Sequence, residues 1–471
     1  MFDLATSLCD SRVAARLRQR LHSFGRSESG AMIPLVVFFL LVTLLLGGMG
    51  VDFMRHEYER AKLQSTLDRA VLAAANTKND LDPEAVVRDY FAKAGMSDYL
   101  QSVTVDAGRG YRTVSAVAKN PMRTRFLAAV GQPTIDVNVG GTAEESIGDA
   151  EVSLVLDISG SMRSNQRISR MRDAAKEFVD TVISEDTLGT VSLSIVPYTS
   201  QVNAGPEILS RLNVLQLQGY SHCMEFNSAD FDTTEISPTS FHIQFPHFSV
   251  GSYSSSGLIS DPGCPQESYE RITPFSQNAT ALKDQISDMR PRQNTSIHLG
   301  MKWAAGLLDP AFQPVIADMV DDGLVDQDFD GRPQNWGAGA LKTIVLMTDG
   351  VNVRTRRLKP EVYETPDMRA FWARNPLFNV TNDMSYSLDD YFYEDAYTYN
   401  QGNTYLQRVC DAAKEKGVII WTIGFEVSNS GANEMEECAS SPAHFYRVEG
   451  LEIQEAFASI ARQLNALHLT N

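Results

Sequence analysis

An α/β fold with a doubly wound sheet is predicted for the larger part of this chain, behind one membrane-crossing helix and a small α+β spacer. Three observations predict it. The run VSLVLDISGSM, Val152 to Met162, is an apolar strand that ends in an Asp-x-Ser-x-Ser loop ahead of a helix. A second apolar run, LKTIVLMTDGVN, ends at Asp349 in a Thr-Asp-Gly turn. Around them strand and helix patterns alternate, as a parallel sheet with helical crossovers requires.

The elements follow in order. From Ser29 to Val51 no residue is charged, and that stretch is long enough for a hydrocarbon core of roughly 30 Å at ~1.5 Å per residue. Residues 1–28 carry Arg12, Arg16, Arg18, Arg20 and Arg26 against Asp3, Asp10 and Glu28. The positive-inside rule therefore places them in the cytoplasm and everything beyond Val51 on the exported side. A cleaved signal peptide competes, because GGMG offers small residues. The apolar stretch is longer than the ~7–15 residues of a signal h-region and lacks a well-placed A-x-A-like site, which favours a retained anchor.

Residues 52–76 are rich in Ala, Leu and charge without Gly or Pro, so they are expected to continue the same helix. Leu63, Leu67, Val71 and Ala74 form an apolar stripe on it. Packing against the chain's own next domain is favoured over packing against a partner helix. Residues 77–147 then read as the spacer: DPEAVVRDYFAKAG as a helix, SVTVDAG, RTVSAVAKN and PTIDVNVGGTAE as strands. No chemistry is visible in them.

The α/β domain is expected over 148–471. RISRMRDAAKEFVDTVI, TYLQRVCDAAKEKG and IQEAFASIARQLNAL read as helices, and TVSLSIVPY and VIIWTIGFEV as strands. Two insertions are expected, at about 202–280 and 309–340. The first is rich in Ser, Phe, Tyr, Pro and Gly; it is either a partner-binding surface with exposed aromatics or an internally packed flap.

The candidate site lies at the C-terminal edge of the sheet, where open α/β sheets bind ligands. Asp157, Ser159 and Ser161 offer a carboxylate and two hydroxyls. Thr295, just before an amphipathic helical pattern, and Asp349 would reach the same edge if the strands are parallel neighbours. Mg²⁺ and similar hard ions take oxygen ligands and keep several waters, so this set is adequate chemistry. Ordinary turns and helix caps use the same residue types. The five residues in this order resemble the von Willebrand factor A (VWA) family, a doubly wound, Rossmann-like domain with a metal-ion-dependent adhesion site. The resemblance implies Asp157, Ser159, Ser161, Thr295 and Asp349 as direct or water-mediated ligands of Mg²⁺ or Mn²⁺, or Ca²⁺, with an open position for a carboxylate from a protein partner. ISGSM lacks the G-x-S-x-G spacing of a nucleophile elbow, and no His is close in sequence to act as a base, so no enzyme is expected.

A low-ranked calcium loop is DQDFDGRPQNWG, where Asp326, Asp328, Asp330 and Gly331 have the 1, 3, 5, 6 spacing of an EF-hand. Gly337 stands where the bidentate Glu belongs, so a solvated acidic loop competes. The acidic, tyrosine-rich YSLDDYFYEDAYTYNQG reads equally as a binding surface or a loop with stacked aromatics.

Composition fits an exported acidic protein. At 471 residues, two globular units plus an anchor are expected. A net charge of -18, without basic clusters interleaved with aromatics, disfavours nucleic acid. Cys9 falls on the cytoplasmic side, and Cys223, Cys264, Cys410 and Cys438 on the exported side, where two disulfides could form in three connectivities. Cys223 with Cys264 and Cys410 with Cys438 is preferred, since each pair would staple one local segment; free buried thiols are the alternative.

Residues 26–76, from the ESGAMIPL start through the span to LQSTLDRAVLAAA, resemble the N-terminal region of TadG-like proteins of the tight-adherence (Tad/Flp) pilus system. The early helix lacks the Glu of true pilins, which leaves processing near Gly30 open. The resemblance implies a single-pass protein of the bacterial inner membrane whose periplasmic VWA domain binds pilus or secretion-system components. Alternatives are a pilus-tip or surface adhesin for a host or matrix ligand, and a structural spacer with an unused metal site.

Overall fold

The computed structural model describes residues 32–76, 81–108, 111–146, 148–251, 257–382 and 389–468. Residues 1–28, expected to be cytoplasmic, the start of the span at Ser29–Ala31 with Gly30, and part of the tyrosine-rich stretch lie outside the described residues. The chain forms two compact units, Met1–Glu145 and Ser146–Asn471.

The described part of the first unit begins with one unbroken helix, α1 (Met32–Ala75), which runs from the apolar span into the charged stretch. It is long and apolar enough to cross a membrane. The stripe on its second half is buried: Leu63, Leu67, Val71 and Ala74 are at most 2% exposed. They pack with Val87 and Phe91 of α2 (Pro83–Lys93) and with Val114 and Val137 of a three-stranded sheet. That sheet holds β1 (Leu100–Gly108), β2 (Tyr111–Arg123) and β3 (Thr134–Ser146) in that order, so residues 52–76 and the spacer share one core. Asp52, directly after the apolar span, is fully buried and accepts the backbone N–H groups of Phe126 and Leu127 at 2.7 and 2.9 Å. Gly48 is glycine for space: a Cβ there would lie 2.1 Å from Phe126 Cδ1.

The second unit is built on a six-stranded sheet. Its strands are β4 (Ala150–Asp157), β5 (Val191–Tyr198), β6 (Thr273–Ser276), β7 (Leu341–Thr348), β8 (Ile419–Phe425) and β9 (Phe445–Val448). Their order is β9-β8-β7-β4-β5-β6, parallel except for β6, which is antiparallel to β5. Strands β4 and β5 are buried at every position, because helices cover both faces. On one face Phe178 of α3 (Arg167–Val182), Leu282 of α4 (Ala279–Asp288) and Phe457 of α8 (Glu452–His468) share a core with Leu154 and Val345. On the other, Trp303 of α5 (Ile297–Leu308), Leu406 of α6 (Tyr399–Glu415) and Met435 of α7 (Asn429–Cys438) pack on Val155 and Leu346.

Three features differ from the sequence reading. Helix α5, expected to be amphipathic, is buried at all twelve positions. Its outer face is covered by the first insertion, whose Phe226, Phe231 and Ile236 join the same core. The insertion itself runs from residue 199 to 272, because Thr273–Ser276 belongs to the main sheet; Pro274 lacks the amide N–H of an interior strand, which suits an edge. A further excursion separates β7 from α6, and its Leu358, Tyr363 and Trp372 form a small core with Phe245 and Phe248. The insertion's phenylalanines at 226, 231, 245 and 248 therefore point inward, while Phe241 stays 60% exposed.

Both preferred disulfides are present, Cys223–Cys264 inside the first insertion and Cys410–Cys438 between α6 and α7, spanning 41 and 28 residues. Each cross-link shortens the loops open to the unfolded chain and is worth about 2–4 kcal/mol. Reductant is expected to lower the melting temperature of the intact protein, and Cys410→Ser/Cys438→Ser to reproduce part of that drop; unchanged melting would contradict it.

Candidate metal centre

The strand order carries the chain from β4 to β5 on one side and then back past β4 to β7 on the other. This reversal opens the crevice where ligands bind in such sheets, and the two carboxylates stand there at neighbouring strand ends. Asp157 is fully buried and Asp349 is 4% exposed.

The loop after β4 turns tightly. The Ser159 N–H donates to Asp157 Oδ1 at 2.8 Å, and Ser159 Oγ lies 3.0 Å from Ser161 Oγ. Ser161 Oγ donates to Asp349 Oδ1 at 2.6 Å, joining loops 188 residues apart. The Gly160 N–H donates to the Gln293 carbonyl at 2.9 Å; a Cβ on Gly160 would stand 2.9 Å from that oxygen, so only glycine permits this approach. The contact draws in the loop that carries Thr295. A Cβ on Gly350 would lie 3.8 Å from Thr295 Oγ1 and 3.9 Å from Ser161 Oγ, so both hydroxyls face one space beside Asp349. All five residues predicted from sequence therefore stand around one crevice.

Other residues fix this arrangement. Thr348 Oγ1 donates to Asp157 Oδ2 at 2.7 Å, and the buried Tyr198 hydroxyl lies 3.3 Å from the same oxygen. Arg167, the first residue of α3, donates from Nη1 to Asp349 Oδ2 at 2.9 Å and from Nε to Glu426 Oε2 at 2.8 Å. Asn352 Oδ1 accepts the Ile297 N–H at 2.8 Å, fixing the start of α5 beside Thr295. Sequence reading missed these four. Thr348 was signalled only by adjacency to Asp349, and the rest are long-range partners with no local pattern.

The electrostatics are those of crowded buried carboxylates. Burial and then the neighbouring Asp349 charge push the Asp157 carboxyl up to about 7. Burial also raises Asp349, although Ser161 and Arg167 favour its charged form. Two carboxylates and three hydroxyls, all oxygen donors with negative charge in excess, fit a hard divalent ion such as Mg²⁺ or Mn²⁺ and not a thiolate or imidazole metal. Such an ion would supply the positive charge that lets both carboxylates ionise together.

The acidic loop differs. Gln327–Phe329 forms a single 3₁₀ turn, and Asp328 Oδ2 accepts from Gln277 Nε2 at 3.0 Å. Among the described residues no group of three or more His, Cys, Asp or Glu side chains is gathered as for a metal, so Asp326, Asp328 and Asp330 do not converge. Their EF-hand spacing is not matched by EF-hand geometry, because a one-turn 3₁₀ helix replaces the continuous ligand loop.

Residues 30–77 match the family described as Putative Flp pilus-assembly TadE/G-like. No curated protein sequence matches the chain. Similar solved structures include the vWF domain of the type V pili tip protein Mfa5 from Porphyromonas gingivalis, 14% identical over 68% of this chain and 96% of that one, with a TM-score of 0.36. The pilus adhesin SpaC from Lactobacillus rhamnosus GG is 13% identical over 79% of this chain and 34% of that one, at a TM-score of 0.33. The von Willebrand factor type A protein from Catenulispora acidiphila is 12% identical, covering 79% and 50%, at 0.28. The chain thus joins a segment at residues 30–77 that matches the TadE/G-like family model to a C-terminal α/β domain built on a six-stranded, mostly parallel sheet.

Proposed function

We propose that this protein is a membrane-anchored component of Tad/Flp pilus assembly whose VWA domain holds a carboxylate of a protein partner through a divalent metal. The observation that carries this reading is the meeting of Asp157, Asp349, Ser159, Ser161 and Thr295 at the sheet's C-terminal edge. Asp157, Asp349 and the hydroxyls would hold Mg²⁺ or Mn²⁺, and the ion supplies a Lewis-acidic position for the incoming carboxylate. Thr348, Tyr198 and Arg167 orient the two aspartates. Binding is noncovalent; the Ser161 hydroxyl donates its hydrogen bond to Asp349, which leaves the lone pairs of its oxygen for the ion.

The periplasmic placement is supported by the five arginines ahead of the span. It is supported independently by two disulfides in the second unit, since such bonds persist in oxidising compartments. The test is affinity capture of the detergent-solubilised full chain from its own cells with Mg²⁺ or with EDTA. A pilus or secretion component that co-elutes in Mg²⁺, is released by EDTA and is lost with Asp157→Ala is the expected result. Capture indifferent to EDTA and to the substitution would favour the structural spacer, and recovery of the chain in sheared pili would favour the tip adhesin.

A further inference from the structure

Beside the metal crevice lies a groove of about 570 Å³ walled by Arg163, Arg172, Arg290 and Arg292, with Asp261 the one carboxylate among its lining residues. Four guanidiniums in one groove are conspicuous on a chain of net charge -18. The chain neutralises them in part: Asp173 and Asp288 act on Arg172, Asp261 acts on Arg292, and Arg292 Nη2 donates to the Tyr269 hydroxyl at 2.8 Å. Arg292 pairs with Glu270, Nε to Oε1 at 2.7 Å. Among the described residues Arg163 and Arg290 have no ion-pair partner; Arg163 Nη2 donates to the Pro291 carbonyl at 3.2 Å, and Arg172 donates to that of Met289. Arg172 Nε and Arg292 Nη1 are buried without a hydrogen-bond partner. Burial first and then the charge of Arg290 hold the Arg172 guanidinium below its ordinary range. Unpaired donors and like charges held together are costly unless an anion joins them.

The groove is lined from the same loops that carry three of the metal residues. Arg163 is two residues beyond Ser161, and the Arg292 N–H donates to the Ile158 carbonyl at 3.0 Å, between Asp157 and Ser159. Thr295 follows Arg292 by three positions in the chain.

We infer that this arginine groove receives further acidic side chains of the same protein segment whose carboxylate the metal holds, so that the partner presents a cluster of Asp or Glu. The inference rests on the proposed metal reading, and a protein segment is favoured over other polyanions because the adjoining crevice is suited to a single carboxylate. Guanidiniums then add electrostatic steering and bidentate contacts to the single metal bond.

The test uses the full chain in detergent with a fluorescein-labelled hexa-aspartate peptide, read by anisotropy, beside calorimetric Mg²⁺ titration. Arg163→Glu/Arg290→Glu alters two exposed residues outside the metal set. It is expected to weaken peptide binding by ~tenfold or more while Mg²⁺ binding is retained. Peptide binding that the double substitution leaves unchanged would overturn the groove, whatever the metal does. Peptide binding lost in the variant but indifferent to EDTA would keep the groove and sink the metal reading. Equal or tighter binding of a polyuronate or of anionic vesicles, also lost in the variant, would overturn the protein-segment assignment.

Discussion

Asp157→Asn is expected to make the metal-free protein more heat-stable at pH 8 and, at the same time, insensitive to Mg²⁺. Burial and Asp349 raise the Asp157 carboxyl to about 7. A carboxyl raised above its unfolded value of 3.8 contributes stability that is fully present below that value and is lost as pH rises to about 7. The metal-free wild type therefore carries an unfavourable buried charge at pH 8 that asparagine removes. Mg²⁺ should restore the wild type by about 2.7 kcal/mol at a hundredfold excess over Kd, and should do so less at pH 5, where the proton competes with the ion. Thermal melts of both forms in EDTA and in Mg²⁺ at the two pH values check this. An Asp157→Asn variant less stable than wild type in EDTA at pH 8 would contradict this, and would mean that the hydrogen bonds the carboxylate accepts from Thr348 and Ser159 outweigh its buried charge.

Gly300→Leu is expected to damage stability and the site together. A Cβ at this position of α5 would lie 2.8 Å from Tyr198 Cδ1 and 2.9 Å from Val155 Cγ1. Overfilling such a contact costs about 1–3 kcal/mol, and a buried leucine has no room to turn away. Tyr198 must yield, and its hydroxyl bridges toward Asp157 Oδ2 and the Met347 carbonyl, at 3.3 and 3.1 Å. Denaturant unfolding should show the stability loss, and Mg²⁺ titration a weaker site than in the wild type. Unchanged Mg²⁺ affinity in the folded variant would remove Tyr198 from any role in orienting Asp157.

What the sequence makes legible is local. The apolar runs before Asp157 and Asp349 specify buried parallel strands, and a carboxylate closing each one reaches the same sheet edge by topology. The α1 stripe is legible because Leu63, Leu67 and Val71 recur at helical spacing. The missed features depend on contacts that no local pattern encodes. Arg167 meets Asp349 across 182 residues, and Tyr198 meets Asp157 across 41. Strand β6 has four residues, one of them Pro274, too few to display an alternation. The full burial of α5 is set by the insertion folded over it, so its polar positions read as an exposed face; Lys302 donates instead to the Thr233 and Glu235 carbonyls, each at 2.9 Å.

Calorimetric titration of Mg²⁺ and Mn²⁺ into the metal-stripped full chain, beside its Asp157→Ala variant, decides whether Asp157 and Asp349 would hold a divalent ion. One ion bound per chain by the wild type and none by the variant is the predicted result. No binding by the folded wild type, or binding that survives the substitution, would contradict it.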